Sequence, residues 1–333
     1  MKAFEVIDLH CDTIPAMMDA AERGEKLSLG KNELQIDLDK LERGGYLCQC
    51  FSLFTYLEEL EEKGETPFGH VKKLAEFWQQ EIGRYPDRIR QVRTYDELME
   101  NRAAGRISAV MTVEEGAVYE GKLDNLQRLY DMGVRMSTIT WNFVNELGYP
   151  NPPKTEGQPW LPDRVNGLTE TGIAFVQEME HLGIVIDLSH LNDAGIDDVF
   201  RYTRGPVIAS HSNVRQICGH LRNLSDDNIR RIAERGGVIG VNFYPAFLKE
   251  QEPGKCEASV MDIIRHIKYL KKLGGIDCIA LGTDFDGYEG TIDIKDAGDI
   301  QLMADAMIRE GFSDDEIEKV FSRNILRVFH EVW

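Results

Sequence analysis

Short apolar runs, many rich in β-branched residues, alternate along this chain with longer stretches whose apolar positions recur every three or four residues. The first pattern suits strands buried on both faces and the second suits helices lying on a sheet, so the alternation predicts repeated strand–helix units around a parallel sheet. Eight runs qualify as strands: residues 4–9, 46–53, 108–113, 135–140, 184–189, 207–210, 238–243 and 278–283. That count predicts an α/β fold of the closed (β/α)8 TIM-barrel kind, built as one domain over 1–333.

The helices between the runs carry their own signals. Thr94 with Glu97 and Ser313 with Glu316 fit the S/T-x-x-E capping box, in which each side chain takes a backbone N–H of the first turn. Val260, Ile263, Ile264, Ile267 and Leu270 form a stripe at helical spacing, and residues 124–131, 169–182, 192–202, 225–235 and 314–329 also predict helices. One stretch, NELGYPNPPKTEGQPWLPDRVNGL at 145–168, is too dense in Pro, Gly and Asn for helix or central strand. It follows the fourth run and so leaves from the barrel's carboxyl face. A loop of this length carrying Tyr149, Trp160 and Leu161 is expected to form part of an active-site wall or lid.

Composition narrows the functions. Thirty-eight Lys and Arg against 57 Asp and Glu leave a formal charge of −19, which repels nucleic acid. Glu5 and Asp8 interrupt the apolar residues of the opening MKAFEVIDLH, and no apolar run approaches the length of a spanning helix, so no membrane contact is expected and the cytoplasm is the expected location. The six cysteines form no C-x-x-C pair and are expected as reduced thiols. Cys48 and Cys50 share a strand face without making a disulfide.

The chemistry concentrates at the carboxyl ends of the predicted strands. His10 and Asp12 fall at the end of the first, Glu114 of the third, His190 of the fifth, His211 of the sixth and Asp284 of the eighth. In a barrel these ends converge on one mouth, where imidazole and carboxylate groups make a ligand set for Zn²⁺ or a similar ion. The i, i+2 spacing of His10 and Asp12 places both on one strand face. Glu114 follows an apolar run and could bridge two cations, but its neighbour Glu115 takes that place if the strand phase shifts by one residue. In GTDFDG, Asp284 is the natural general acid or base and Asp286 better suits a turn cap. His70, His181, His220, His266 and His330 lie in helices or connections and are expected at surfaces or on helix faces.

Taken in order, IDLHCDT, VEEGAVYEGKLDNLQRLYDMGVR, GLTETGIAFVQEMEHLGIVIDLSH, PVIASHSNVRQICGHLRNLSDDNI, GVIGVNFYPAFL and ALGTDFDG resemble the membrane dipeptidase (renal dipeptidase) family, peptidase family M19, in a bacterial style and over nearly the whole chain. The resemblance implies an amidohydrolase-like barrel with two zinc ions, Mn²⁺ or Co²⁺ being workable substitutes. It implies that His10, Asp12 and a bridging Glu114 hold one ion, and that Glu114, His190 and His211 hold the other. It assigns proton handling to Asp284, the substrate's terminal carboxylate to Arg222, and a wall of the same pocket to Tyr244. One departure stands out. Where well-known members carry a histidine that touches the substrate carbonyl, this chain reads Thr140-Trp141-Asn142, so Trp141 and Asn142 are the residues expected at the substrate there, with Asn142 as a donor to a developing oxyanion.

The expected activity is hydrolysis of a dipeptide by a hydroxide held between the two metals, extending to substrates with a D-residue on the carboxyl side as the family often allows. Two other readings stay open at this level: an amidohydrolase acting on N-acyl amino acids or cyclic amides, and a non-catalytic barrel that binds metal or peptide. Prior odds among symmetric assemblies favour a homodimer.

Overall fold

The computed structural model describes residues 3–333. Among these residues nine strands pair in parallel throughout: β1 (Val6–Asp8), β2 (Tyr46–Phe54), β3 (Ile89–Gln91), β4 (Ile107–Glu114), β5 (Val134–Thr138), β6 (Val185–Asp187), β7 (Ile208–Ala209), β8 (Val238–Val241) and β9 (Ile279–Leu281). Eight of them make the barrel. Neighbours run β2-β1-β9-β8-β7-β6-β5-β4, and residues 48–54 of β2 pair with 108–114 of β4 to close the ring.

The ninth strand, β3, was not among the eight apolar runs. Only Ile89 of its three residues is buried, so it leaves no hydrophobic signature, and it pairs with the first three residues of β4 before β5 takes over at Met111. Most barrel strands are also shorter than their apolar runs. The run at 207–210 pairs as a strand only over Ile208–Ala209, and that at 184–189 only over Val185–Asp187. The reason lies in polar side chains that replace ladder partners near the mouth. Asp187 accepts from the N–H groups of Ser189 (3.0 Å) and Ser210 (2.9 Å), and Asp8 accepts from the Thr283 N–H (2.8 Å) and hydroxyl (2.7 Å).

Two apolar layers hold the fold. Between strands and outer helices, the helix Val260–Gly274 buries Ile263, Ile264, Ile267 and Leu270, the face its spacing predicted. Inside the barrel, Ile7, Cys48, Cys50, Val110, Met136, Ile208 and Val238 pack over Ile325, Val328 and Phe329 of the final helix, Asn324–Val332, which plugs the floor. Each such fully buried side chain contributes about 1.5–3 kcal/mol. All six cysteines are free thiols.

The segment predicted as one helix over 314–329 is divided. Asp314–Glu318 leads into a π-helical turn, Lys319–Arg323, and only then into the plug. Asn324, at the junction, donates to the carbonyls of Ile276 and Ile279 (2.8 Å each), fastening the plug beneath β9. The box at Ser313 and Glu316 forms in both directions, whereas Glu97 accepts from the Arg93 N–H (2.6 Å) instead of that of Thr94. Among the described residues no helix is long and apolar enough to cross a membrane.

Candidate metal centre and active site

Of the six candidate ligands only Glu114 belongs to a strand, as the last residue of β4. The others lie beyond strand ends, where the chain turns. His10 stands two residues past β1, and Asp12 is the N-cap of the helix Thr13–Glu22 with φ −105° and ψ 23°. His190, His211 and Asp284 follow β6, β7 and β9 by two or three residues. The i, i+2 strand geometry expected for His10 and Asp12 is therefore replaced by a turn, which still leaves Asp12 Oδ2 3.4 Å from His10 Nε2. His190 (φ +70°) and Asp284 (φ +63°) take the left-handed conformation that costs a non-glycine residue about 1–3 kcal/mol.

These turns bring the six side chains together. Glu114 stands between two groups: its Oε2 lies 3.3 Å from His10 Nε2, while its Oε1 lies 2.9 Å from His190 Nε2 and 3.5 Å from His211 Nε2. Asp284 Oδ1 is 3.8 Å from His10 Nε2, close enough to join Asp12 and His10 as a third donor beside the proton-handling role that the resemblance implies for it. Behind the histidines, the Nδ1 of His211 is 2.7 Å from the Ser210 hydroxyl and that of His190 is 3.1 Å from Asn142 Oδ1. With Nδ1 so engaged, each Nε2 is turned toward the cluster.

The donor set fits divalent cations. His10 Nε2 and Asp12 Oδ1 are buried without a hydrogen-bond partner, a cost that a cation would remove. Gly287 keeps the space open, since a Cβ there would come within 2.2 Å of Asp12 Oδ2 and 2.7 Å of Asp284 Oδ1. Protein groups alone leave the charges in tension. Burial opposes the charged form of His10, but the Glu114 and Asp12 carboxylates outweigh it and hold its pKa well above 6.5. Burial also works against ionised Glu114, yet His10 and the other two histidines keep it well below the usual range. His190, by burial and then the Arg222 charge, is lowered to about 3, and His211 is lowered by burial and His10, so both are neutral ligands at pH 7. Burial raises Asp284 to about 7, with the Asp12 and Glu114 charges adding to it against His10.

Glu115 faces away from the cluster. Its carboxylate accepts from the backbone N–H of Ala117 (2.8 Å) and Trp141 (2.9 Å) and from the Asn145 amide (2.5 Å), so the choice between adjacent glutamates falls to Glu114. Asp286 accepts from the Gln35 N–H and the Thr13 hydroxyl (2.6 Å each), which is the capping role its turn suggested.

A cavity of about 610 Å³ opens above the cluster. Arg222, Tyr244, Trp141 and Asn142 all line it, and the 145–168 loop contributes Asn151, Lys154 and Trp160 to its wall. Among the described residues Arg222 makes no ion pair with a carboxylate. Its guanidinium lies 3.2 Å from the His211 carbonyl and 5.4 Å from the Phe247 ring, its Nε is buried without a partner, and burial lowers its pKa to about 10. Tyr244 stacks on Tyr288 with centroids 5.5 Å apart. Asn142 shows its carbonyl to His190, a different use from the oxyanion donor expected of it.

His220 departs from the surface or helix-face role expected of it, and His266, on a helix face as expected, turns that face into the core. His220 lines the cavity, edge-on to Trp160 (4.6 Å) and 4.4 Å from Phe247, and burial followed by the Arg222 charge lowers it to about 3. Its signal was the H-x-R spacing to Arg222, whose N–H it accepts at 3.2 Å. His266 is fully buried, its Nδ1 accepting from the Val214 N–H (3.0 Å) and its Nε2 2.9 Å from the Leu248 carbonyl, so it is a core residue.

Residues 1–333 match the family model described as membrane dipeptidase, peptidase family M19. The chain is 30% identical over 343 residues to an uncharacterized dipeptidase of Schizosaccharomyces pombe, covering 98% of this chain and 80% of that one. With a dipeptidase of Aspergillus oryzae it shares 29% identity, covering 90% and 70% respectively. Among solved structures it is similar, with TM-score 0.90, 25% identity and full coverage of both chains, to a metallopeptidase of Rhodobacter sphaeroides liganded with a phosphinate mimic of the dipeptide L-Ala-D-Ala.

Proposed function

We propose, from the premise that the chain belongs to the membrane dipeptidase family (peptidase family M19) and is a metallo-dipeptidase, that it hydrolyses dipeptides at two cation sites sharing Glu114. The observation that carries this reading is the disposition of the Glu114 carboxylate, one oxygen toward His10 and the other toward His190 and His211. His10, Asp12 and Glu114 would hold one ion, with Asp284 in reach, and Glu114, His190 and His211 the other. Zinc bound there, or manganese or cobalt in its place, supplies Lewis acidity toward the scissile carbonyl and lowers the pKa of water.

The chain's own residues do the rest. Arg222 receives the substrate's terminal carboxylate: its guanidinium is a planar fork, it has an unpartnered buried Nε, and it forms no ion pair with a carboxylate among the described residues. Tyr244 and Phe247 close the wall beside that group. Asp284, whose Oδ1 faces the cluster, takes the proton released by the attacking water and delivers it to the departing amine. Asn242 holds the other oxygen of Asp284 at 2.8 Å, which keeps Oδ1 turned toward the cluster. Recognition at the terminus and the peptide bond leaves the stereochemistry of the second residue free, and the L-Ala-D-Ala mimic on the Rhodobacter protein supports substrates of L,D type.

A panel of L,L- and L,D-dipeptides and their N-acetyl counterparts, offered to zinc-reconstituted protein, tests the proposal. Cleavage of free dipeptides should vanish on chelation and return with Zn²⁺, Mn²⁺ or Co²⁺. Activity that survives metal removal sinks the two-cation reading, and equal cleavage of N-acetyl substrates replaces dipeptides with N-acyl amino acids.

A further inference from the structure

Glu115 occupies a position better suited to glycine. Its φ is +89°, and the next residue must be Gly116 because a Cβ there would come within 2.2 Å of the Ile139 carbonyl. At this strained point the chain carries a buried carboxylate, and both its oxygens bind the same neighbouring segment. Oε2 accepts from the Trp141 N–H, and Oε1 accepts from the Asn145 side chain as well as from Ala117. The Glu115 N–H in turn donates to the Thr138 hydroxyl (3.0 Å) at the end of β5. Asn145 adds a second anchorage, donating to the Ile139 carbonyl (2.9 Å) and accepting from the N–H groups of Leu147 and Gly148.

Between these anchors lies Asn142, in a segment with no regular secondary structure. Its carbonyl oxygen is 3.1 Å from His190 Nδ1, and the Trp141 ring lies 5.9 Å from the same imidazole. The facing Nε2 of His190 is directed at Glu114 and at His211 Nε2, 3.0 Å away. An imidazole that offers Nε2 to a cation must carry its proton on Nδ1, and only an acceptor stabilises that tautomer. Asn142 Oδ1 is such an acceptor. It stays in place because Glu115 binds the backbone one residue before it and the side chain three residues after it.

We propose that Glu115 and Asn142 are positioning residues for the His190 ligand: the Glu115 carboxylate is a strut for the 141–145 segment, and Asn142 sets the tautomer and aim of His190. This rests on the two-cation reading. Adjacent glutamates then divide the work, Glu114 touching the cations and Glu115 acting through a loop on one of their ligands.

Metal binding measures this without recourse to turnover. The intact protein is titrated with zinc by equilibrium dialysis, and the visible spectrum of its cobalt form is recorded. Wild type should take two equivalents and His190→Ala one. Asn142→Ala, at an exposed position outside the core, should weaken the second equivalent by about 10–100-fold and alter the cobalt spectrum, leaving the first equivalent unchanged. Asn142→Asp, which keeps an acceptor, should retain the second equivalent. Glu115→Gly relieves the backbone while deleting the strut, so it should weaken the same equivalent by a smaller factor. Wild-type affinity for the second zinc in both Asn142→Ala and Glu115→Gly overturns the proposal. Fewer than two equivalents in wild type overturns the two-cation reading, and this inference with it, whereas loss confined to the variants leaves that reading standing.

Discussion

The two ends of the barrel are built on opposite terms. At the floor, Ile325, Val328 and Phe329 are fully buried against Ile7, Val110, Ile208 and Val238, and the helix that carries them is regular. At the mouth the loops after strands β4, β6 and β9 hold every non-glycine residue with a left-handed φ among those described: Glu115, Glu120, His190, Asp284 and Asp286. The mouth also buries carboxylates and imidazoles at contact distance, two of their polar atoms without partners. The floor therefore supplies the stability that lets the mouth keep strained backbone and concentrated charge, the arrangement that separates folding from chemistry in barrels of this kind.

That contrast can be broken from either side. The largest effect is expected at the mouth: Asp284→Asn should lower kcat by about 10²–10⁴-fold, the range for a lost proton-transfer group, with two metal equivalents retained and the denaturation midpoint no lower. Unchanged turnover, measured with any cleaved dipeptide, removes Asp284 from the proton path. Next comes the floor, where Phe329→Ala should cost about 3–5 kcal/mol in denaturant unfolding while kcat/KM of the folded enzyme stays near wild type. A selective loss of kcat/KM there would show that the two ends are coupled.

The smallest effect concerns the seam between the outer helices and the mouth. His266 ties the helix Val260–Gly274 to the loops after β7 and β8, and burial lowers its pKa to about 4. Because the folded value is below the unfolded value of about 6.5, the unfolded chain binds the extra proton, and stability is lost as pH falls from 6.5 toward 4. His266→Gln should flatten that slope by up to one proton, about 3 kcal/mol across the window, in unfolding curves taken at stepped pH. An unaltered slope would assign the acid sensitivity to other groups.

The alternation of apolar runs and helical stripes determined the closed barrel, because burial against a neighbouring layer is recorded locally in the periodicity of each element. The residue types at strand ends marked the cluster in the same way, since strand direction alone sends His10, Glu114, His190, His211 and Asp284 to one rim. Other features were decided only by the tertiary structure. Whether Glu114 or Glu115 meets the histidines depends on a one-residue phase, and the pairing of β4 with β2 and β5 sets that phase. The use of Asn142 on His190, the place of His220 on the cavity wall and the pairing of β3 all arise from contacts between segments distant in the chain. Beyond the end of a strand, a side chain's direction follows the turn of the backbone. That turn is held by remote partners, which no local pattern of residues records.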